Sequence, residues 1–128
     1  MPIWLGFMVV FLGSGLGGMA RHGIGLVALR LMGSAFPWGT LIANVIGAAL
    51  MGLLTGLLAA KSIDNAELRL FATTGFLGGF TTWSTFSLDT ITLWENGEIG
   101  LAIGYVAASL ILSLGVLAAM LILTHRWG

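Results

Sequence analysis

Thr73-Thr74-Gly75-Phe76-Leu77-Gly78-Gly79-Phe80-Thr81-Thr82-Trp83-Ser84-Thr85-Phe86-Ser87 sets adjacent glycines beside seven serine and threonine hydroxyls in the middle of an apolar run. A continuous helix is poorly supported there. Gly78-Gly79 frees backbone groups that lipid cannot satisfy, so a break is tolerated only where it is buried in protein or faces water or an ion. Broken membrane helices commonly mark ion sites. The competing reading is that these hydroxyls bond back to carbonyls one turn earlier, as is common in membrane helices.

Outward from this stretch, the chain divides into runs of the roughly 20 apolar residues that cross a bilayer. The expected spans are about residues 3–31, 39–60, 68–94 and 99–124, all within one transmembrane domain covering 1–128. Gly33-Ser34-Ala35-Phe36-Pro37, residues 61–67 and Glu95-Asn96-Gly97-Glu98 join them with turn-forming chemistry. The fold class is therefore an all-α integral membrane protein of four transmembrane helices, the third broken near Gly78–Thr82.

Composition agrees, with 58% hydrophobic residues against 8% charged, more apolar surface than water tolerates. Five Lys plus Arg against five Asp plus Glu give no net charge and no basic field, which argues against nucleic-acid partners. No cysteine is present, so thiolate metal sites, disulfides and cysteine nucleophiles are excluded together. The N-terminus Met1-Pro2-Ile3-Trp4 lacks a basic n-region and its apolar run outlasts a signal peptide's, so it reads as a retained span. Lys61, Arg69 and Arg126 on one side against Arg30 on the other make a weak charge bias, compatible with insertion in both orientations.

Each span also carries a GxxxG pair, Gly13/Gly17, Gly52/Gly56, Gly75/Gly79 and Gly100/Gly104, which predicts close helix packing. Four helices cannot shield a polar pathway from lipid on every side. An oligomer supplies the missing wall.

Polar residues inside the spans form a pattern. Tyr105, Ser109 and Ser113 recur at i, i+4 and i+8 on the fourth span, and Thr40 and Asn44 make an i, i+4 pair on the second. Interhelical glue is the alternative for either group alone. No Asp or Glu lies in the first, second or fourth span, so a cation pore is poorly served. Hydroxyls, amide N–H groups and helix N-termini at a break suit an anion. Arg21 adds a full positive charge within the first span, a functional candidate unless it snorkels to an interface. Trp83 and Phe86 share a helix face, and the positive edge of an aromatic ring can face an anion; lipid contact or core packing is the commoner role.

The run Gly75–Ser87 closely resembles the third-helix signature of the Fluc (CrcB) fluoride channel family. The resemblance extends to Trp38-Gly39-Thr40-Leu41-Ile42-Ala43-Asn44, to Gly17-Gly18-Met19-Ala20-Arg21 and to the Tyr105/Ser109/Ser113 ladder. It implies an antiparallel, dual-topology homodimer in the cell (inner) membrane, with two fluoride pathways between subunits and passive export of fluoride down its gradient. Carried over by motif position, Asn44, Trp83 and Phe86 line the pathway, with Tyr105, Ser109, Ser113 and the third-helix hydroxyls of Thr82, Ser84 and Thr85 along a polar track. Arg21 is placed near a vestibule. The resemblance also implies a structural sodium ion at the dimer centre, held by the main-chain carbonyls of Gly78 and Thr81. The family pattern usually has Phe where this chain has Trp83, which adds bulk and an indole N–H. Asp89 either lines a pore mouth or is solvated.

Two rivals remain from other classes. A small-multidrug-type transporter packs four helices into a similar length but needs a carboxylate in its first helix, where this chain has only Arg21, His22 and Arg30 as ionisable groups. A non-transporting assembly subunit leaves the broken helix and the hydroxyl ladder without a purpose. An enzyme is not expected, since His22 and His125 lie far apart in sequence with no clustered carboxylates. His125 with Arg126 and Trp127 reads as an interfacial anchor.

Overall fold

The computed structural model describes residues 1–127, and side chains as far as His125. Gly128 and the side chains of Arg126 and Trp127, two of the three residues of the expected anchor, lie outside the described residues. The described chain is helical, with α1 over Ile3–Met32, α2 over Trp38–Ala60 and α6 over Ile99–Trp127. At about 1.5 Å per residue, the 23 residues of α2 span about 35 Å, and α1 and α6 are longer. All three are long and apolar enough to cross a bilayer.

Between α2 and α6 the chain is not one helix. It runs as α3 over Ala66–Leu70, a π-helical stretch over Phe71–Leu77, α4 over Gly78–Phe80 and, after an interruption, α5 over Trp83–Glu95. Thr81 and Thr82 are extended, at φ −94°, ψ 157° and φ −148°, ψ 123°. The glycine pair at 78–79, where the sequence suggested that backbone groups are freed, is itself helical, and the chain leaves the helix at its C-terminal side. Wide π turns are uncommon and frequently accompany functional sites.

The interruption moves the chain from one neighbour to another. Before it, the π stretch and α4 pack on α1; after it, α5 packs on α6, while α2 lies along both α1 and α6. Glycines make the first contact close. A Cβ at Gly13 would lie 2.7 Å from the Phe71 carbonyl oxygen, and one at Gly79 would meet the backbone of Ser14. Gly52 and Gly56 likewise face Leu117, Met120 and Thr124 of α6. The fourth pair behaves differently from the packing expectation: Gly100 and Gly104 have nothing within 4 Å of where a Cβ would be, because their face of α6 points away from the subunit.

Few side chains are buried. Leu41, Phe86, Leu93, Ala102 and Tyr105 form the small core between α2, α5 and α6, while Ile3, Phe7, Phe11 and Ile111 are among many large apolar residues on the outside. The chain exposes 8009 Å², against about 6,500 Å² expected for a compact soluble monomer of this mass. A surface this large and this apolar belongs in lipid.

Candidate functional site

The interruption is held by one side chain of α2. Asn44 Oδ1 accepts the Thr82 N–H at 2.8 Å, and Asn44 Nδ2 donates to the Thr82 carbonyl at 3.1 Å. A two-point grip of this kind replaces the helical partners that Thr82 has given up. Thr82 Oγ1 then accepts the Thr85 N–H at 3.2 Å and so caps the start of α5.

These bonds release carbonyls upstream. In a continuous helix the Thr82 N–H would bond back to Gly78 and the Thr85 N–H to Thr81. Here both donors are engaged elsewhere, so the Gly78 and Thr81 carbonyl oxygens lose their helical partners. Such oxygens are the donor set a hard cation takes. The intervening Gly79 carbonyl is not free: Arg21 Nε donates to it at 3.2 Å. Arg21 thus reaches from α1 to the break itself.

Beside the interruption lies a cavity of about 250 Å³ lined by Asn44, Thr82, Trp83, Phe86, Ser109 and Ser113, with Thr81, Leu110 and Leu114 completing its wall. The polar residues expected on three separate spans therefore share one space. No lining residue is charged. Ser109 Oγ is buried and is the one buried side-chain polar atom without a hydrogen-bond partner among the described residues. Asn44 spends one N–H on Thr82, leaving the other. The cavity accordingly offers neutral donors, with neither a carboxylate to attract a cation nor a full positive charge to trap an anion.

Aromatic rings continue the wall. Phe86 is buried between Trp83 and Tyr105, with centroids 5.1 Å from each, and Tyr105 meets Phe36 edge-on at 5.4 Å. Trp83 is 71% exposed and projects from the subunit's surface at the cavity. Its indole has no neighbours there that would bury it.

The remaining expected site residues stand apart from the cavity. Ser84 is exposed, with its Oγ 3.3 Å from Thr82 Oγ1, and Thr85 contributes its backbone N–H to the cap. Tyr105 is fully buried one turn from Ser109, and its hydroxyl donates to Asp89 Oδ2 at 3.0 Å. Back-bonding to carbonyls is present too, at Thr73, Thr81 and Ser87, but not at Thr82. Asp89 opens onto a second cavity, of about 360 Å³, shared with Thr40, Thr92, Asn96 and the 33–37 loop. The sequence left Asp89 between two roles; its pairing with Tyr105 depends on the register of α5 against α6, which no local motif encodes.

Comparison with known proteins gives a consistent result. The family model described as CrcB-like protein, Camphor Resistance (CrcB), matches residues 8–121. The Fluoride-specific ion channel FluC 2 of Nitrobacter hamburgensis is 43% identical over 122 residues, covering 94% of this chain and 98% of its own. The Fluoride-specific ion channel FluC of Methylobacterium nodulans is 48% identical over 124 residues, covering 97% and 99%. That of Rhizobium etli is 51% identical over 106 residues, covering 83% and 85%.

Proposed function

The chain belongs to the CrcB-like family, and from that membership we propose that it is a fluoride-selective ion channel, a membrane protein and not an enzyme, exporting fluoride passively down its electrochemical gradient. The observation that carries the reading is the orphaned Ser109 hydroxyl in an uncharged cavity beside Asn44 and Thr82. Fluoride accepts stronger hydrogen bonds than larger halides and gives up more hydration on leaving water, so a close series of neutral donors is what can stand in for its water shell. Asn44, Thr82, Ser109 and Ser113 are the proposed donors, with the ring edges of Trp83 and Phe86 as the apolar wall. Ser84, Thr85 and Tyr105 belong to the shell that shapes this track, and Arg21 supplies positive charge at its vestibule.

The functional unit in this reading is an antiparallel homodimer in the cell (inner) membrane, with the interrupted segment as the third of four spans in each subunit and two pathways between subunits. Support comes from the exposure of Trp83 at the cavity, which leaves one wall to be supplied by a second copy. A central sodium ion fits the residues present: the Gly78 and Thr81 carbonyls lack helical partners, and a two-fold pair of subunits would offer four such oxygens. That ion would brace the two interruptions against each other.

The test is efflux from liposomes carrying the purified protein under a potassium gradient, read with a fluoride electrode and then with a chloride electrode. Fluoride efflux without chloride efflux is expected. Equal efflux of both ions, or of neither, would overturn the reading.

A further inference from the structure

The Tyr105–Asp89 hydrogen bond stands between the two cavities. Phe86, whose ring meets Tyr105 at 5.1 Å, lines the cavity of neutral donors, and Asp89, which holds the Tyr105 hydroxyl at 3.0 Å, lines the cavity beneath the 33–37 loop. Tyr105 itself has no exposed surface. It touches what lines both spaces and opens freely to neither.

A phenol has one proton to donate. In this structure that proton is directed at a carboxylate, itself an anion and a strong acceptor. Any anion that uses Tyr105 as a donor must therefore take the proton's hydrogen bond from Asp89. The next donors along α6, Ser109 and Ser113, are not engaged by a carboxylate, so the competition is confined to one rung of the ladder.

We propose that Asp89 is a resident anion that competes with fluoride for the Tyr105 hydroxyl, and so sets how readily fluoride passes from the donor-lined cavity to the one beneath the 33–37 loop. This rests on the fluoride-channel reading above. Asp89 acts through Tyr105 and is a positioning residue: with the carboxylate in place, the hydroxyl is held on Asp89 while the ring packs against Phe86 at the wall of the donor-lined cavity. Fluoride occupancy at Tyr105 follows mass action between the tethered anion and the free one. No proton is transferred; one hydrogen bond is exchanged for another.

Tyr105 is the only tyrosine in the chain, so a single isotope label at tyrosine Cζ gives one NMR resonance that needs no assignment. The full-length protein in lipid is titrated with sodium fluoride, and with sodium chloride as the control. In the wild type the resonance should shift with fluoride and stay in place with chloride. In Asp89→Ala, which removes the competitor, the midpoint should fall to about a tenth of the wild-type fluoride concentration, the effect of losing one charge-assisted hydrogen bond. Asp89→Asn keeps an acceptor oxygen without the charge, is the gentler substitution for folding, and should give an intermediate midpoint. Equal midpoints in the three proteins, a higher midpoint in Asp89→Ala, or an equal response to chloride would each overturn the competition. Fluoride efflux from vesicles carrying the wild type tests the channel reading separately, and the resonance decides the competition whether or not the ion crosses.

Discussion

Asn44 and Thr82 are joined by two hydrogen bonds in opposite senses, the amide oxygen taking the Thr82 N–H at 2.8 Å and the amide nitrogen giving to its carbonyl at 3.1 Å. A carboxamide carries its acceptor and its donor on separate atoms, so it can grip the N–H and the carbonyl of one residue at the same time. Asn44 is consequently part of the donor-lined cavity and also the clamp on the interruption that forms it.

Replacing Asn44 with Asp keeps the acceptor and loses the donor. The Thr82 carbonyl would then face a second acceptor, and a negative charge would stand where the anion is proposed to pass. Fluoride efflux from Asn44→Asp liposomes should fall to background. Asn44→Ala strands both Thr82 groups, at a cost of about 1–3 kcal/mol for each part-buried group, and should lower the melting temperature as well as the flux. Full efflux in either variant would remove Asn44 from the pathway.

Phe86 tests the ring rather than the clamp. It is 7% exposed and touches Trp83 and Tyr105, so Phe86→Ile preserves apolar bulk at a packed position while removing the positive ring edge. An edge contact worth about 1 kcal/mol corresponds to a several-fold to tenfold loss of fluoride flux. Size-exclusion chromatography should show the same oligomer as the wild type. Unchanged flux with unchanged assembly would make Phe86 a packing residue only.

The interruption shows which part of this architecture a sequence can carry. Apolar runs and scarce charge are local properties, and the all-helical membrane character follows from them. A weak helix-forming pair at Gly78-Gly79 signals trouble nearby, but the turn falls at Thr81–Thr82 because Asn44, 38 residues away, offers Thr82 a better partner there. Gly79 serves packing instead, letting α4 meet the Ser14 backbone. In the same way, the i, i+4, i+8 spacing put Tyr105, Ser109 and Ser113 on one face of α6, yet only the latter two line the cavity. Tyr105 was claimed by Asp89 from another helix, a contact set by interhelical register. The π-helical stretch over Phe71–Leu77 had no sequence signal at all.

Gly17 and Gly15 make a matched pair of substitutions two residues apart on α1. A Cβ at Gly17 would collide with the Phe76 carbonyl, whereas one at Gly15 would meet nothing within 4 Å. Gly17→Ala forces α1 from the π-helical stretch and should destabilise the purified protein by about 1–3 kcal/mol, the usual cost of overpacking. Gly15→Ala should be neutral or slightly stabilising, since alanine is the better helix former by up to about 1 kcal/mol. Thermal unfolding in detergent compares them directly. Equal behaviour would mean that α1 and the π-helical stretch are not in backbone contact.

Arg21 combines a tether with a charge, and a neutral donor can separate the two. Its Nε donates to the Gly79 carbonyl at 3.2 Å, so Arg21→Met should loosen the break and lower the melting temperature, while Arg21→Gln retains a donor for that carbonyl. The glutamine variant loses only the positive charge that would concentrate anions near the vestibule. Its fluoride flux should fall a few-fold at low ionic strength and approach that of the wild type at high salt, because a field of this kind is screened beyond about 10 Å at 0.1 M. Flux that falls equally at every salt concentration would assign Arg21 to the break alone, with its charge idle. A loss of stability in Arg21→Gln matching that of Arg21→Met would show instead that glutamine cannot reach Gly79, and that the length of the arginine stem is what the tether requires.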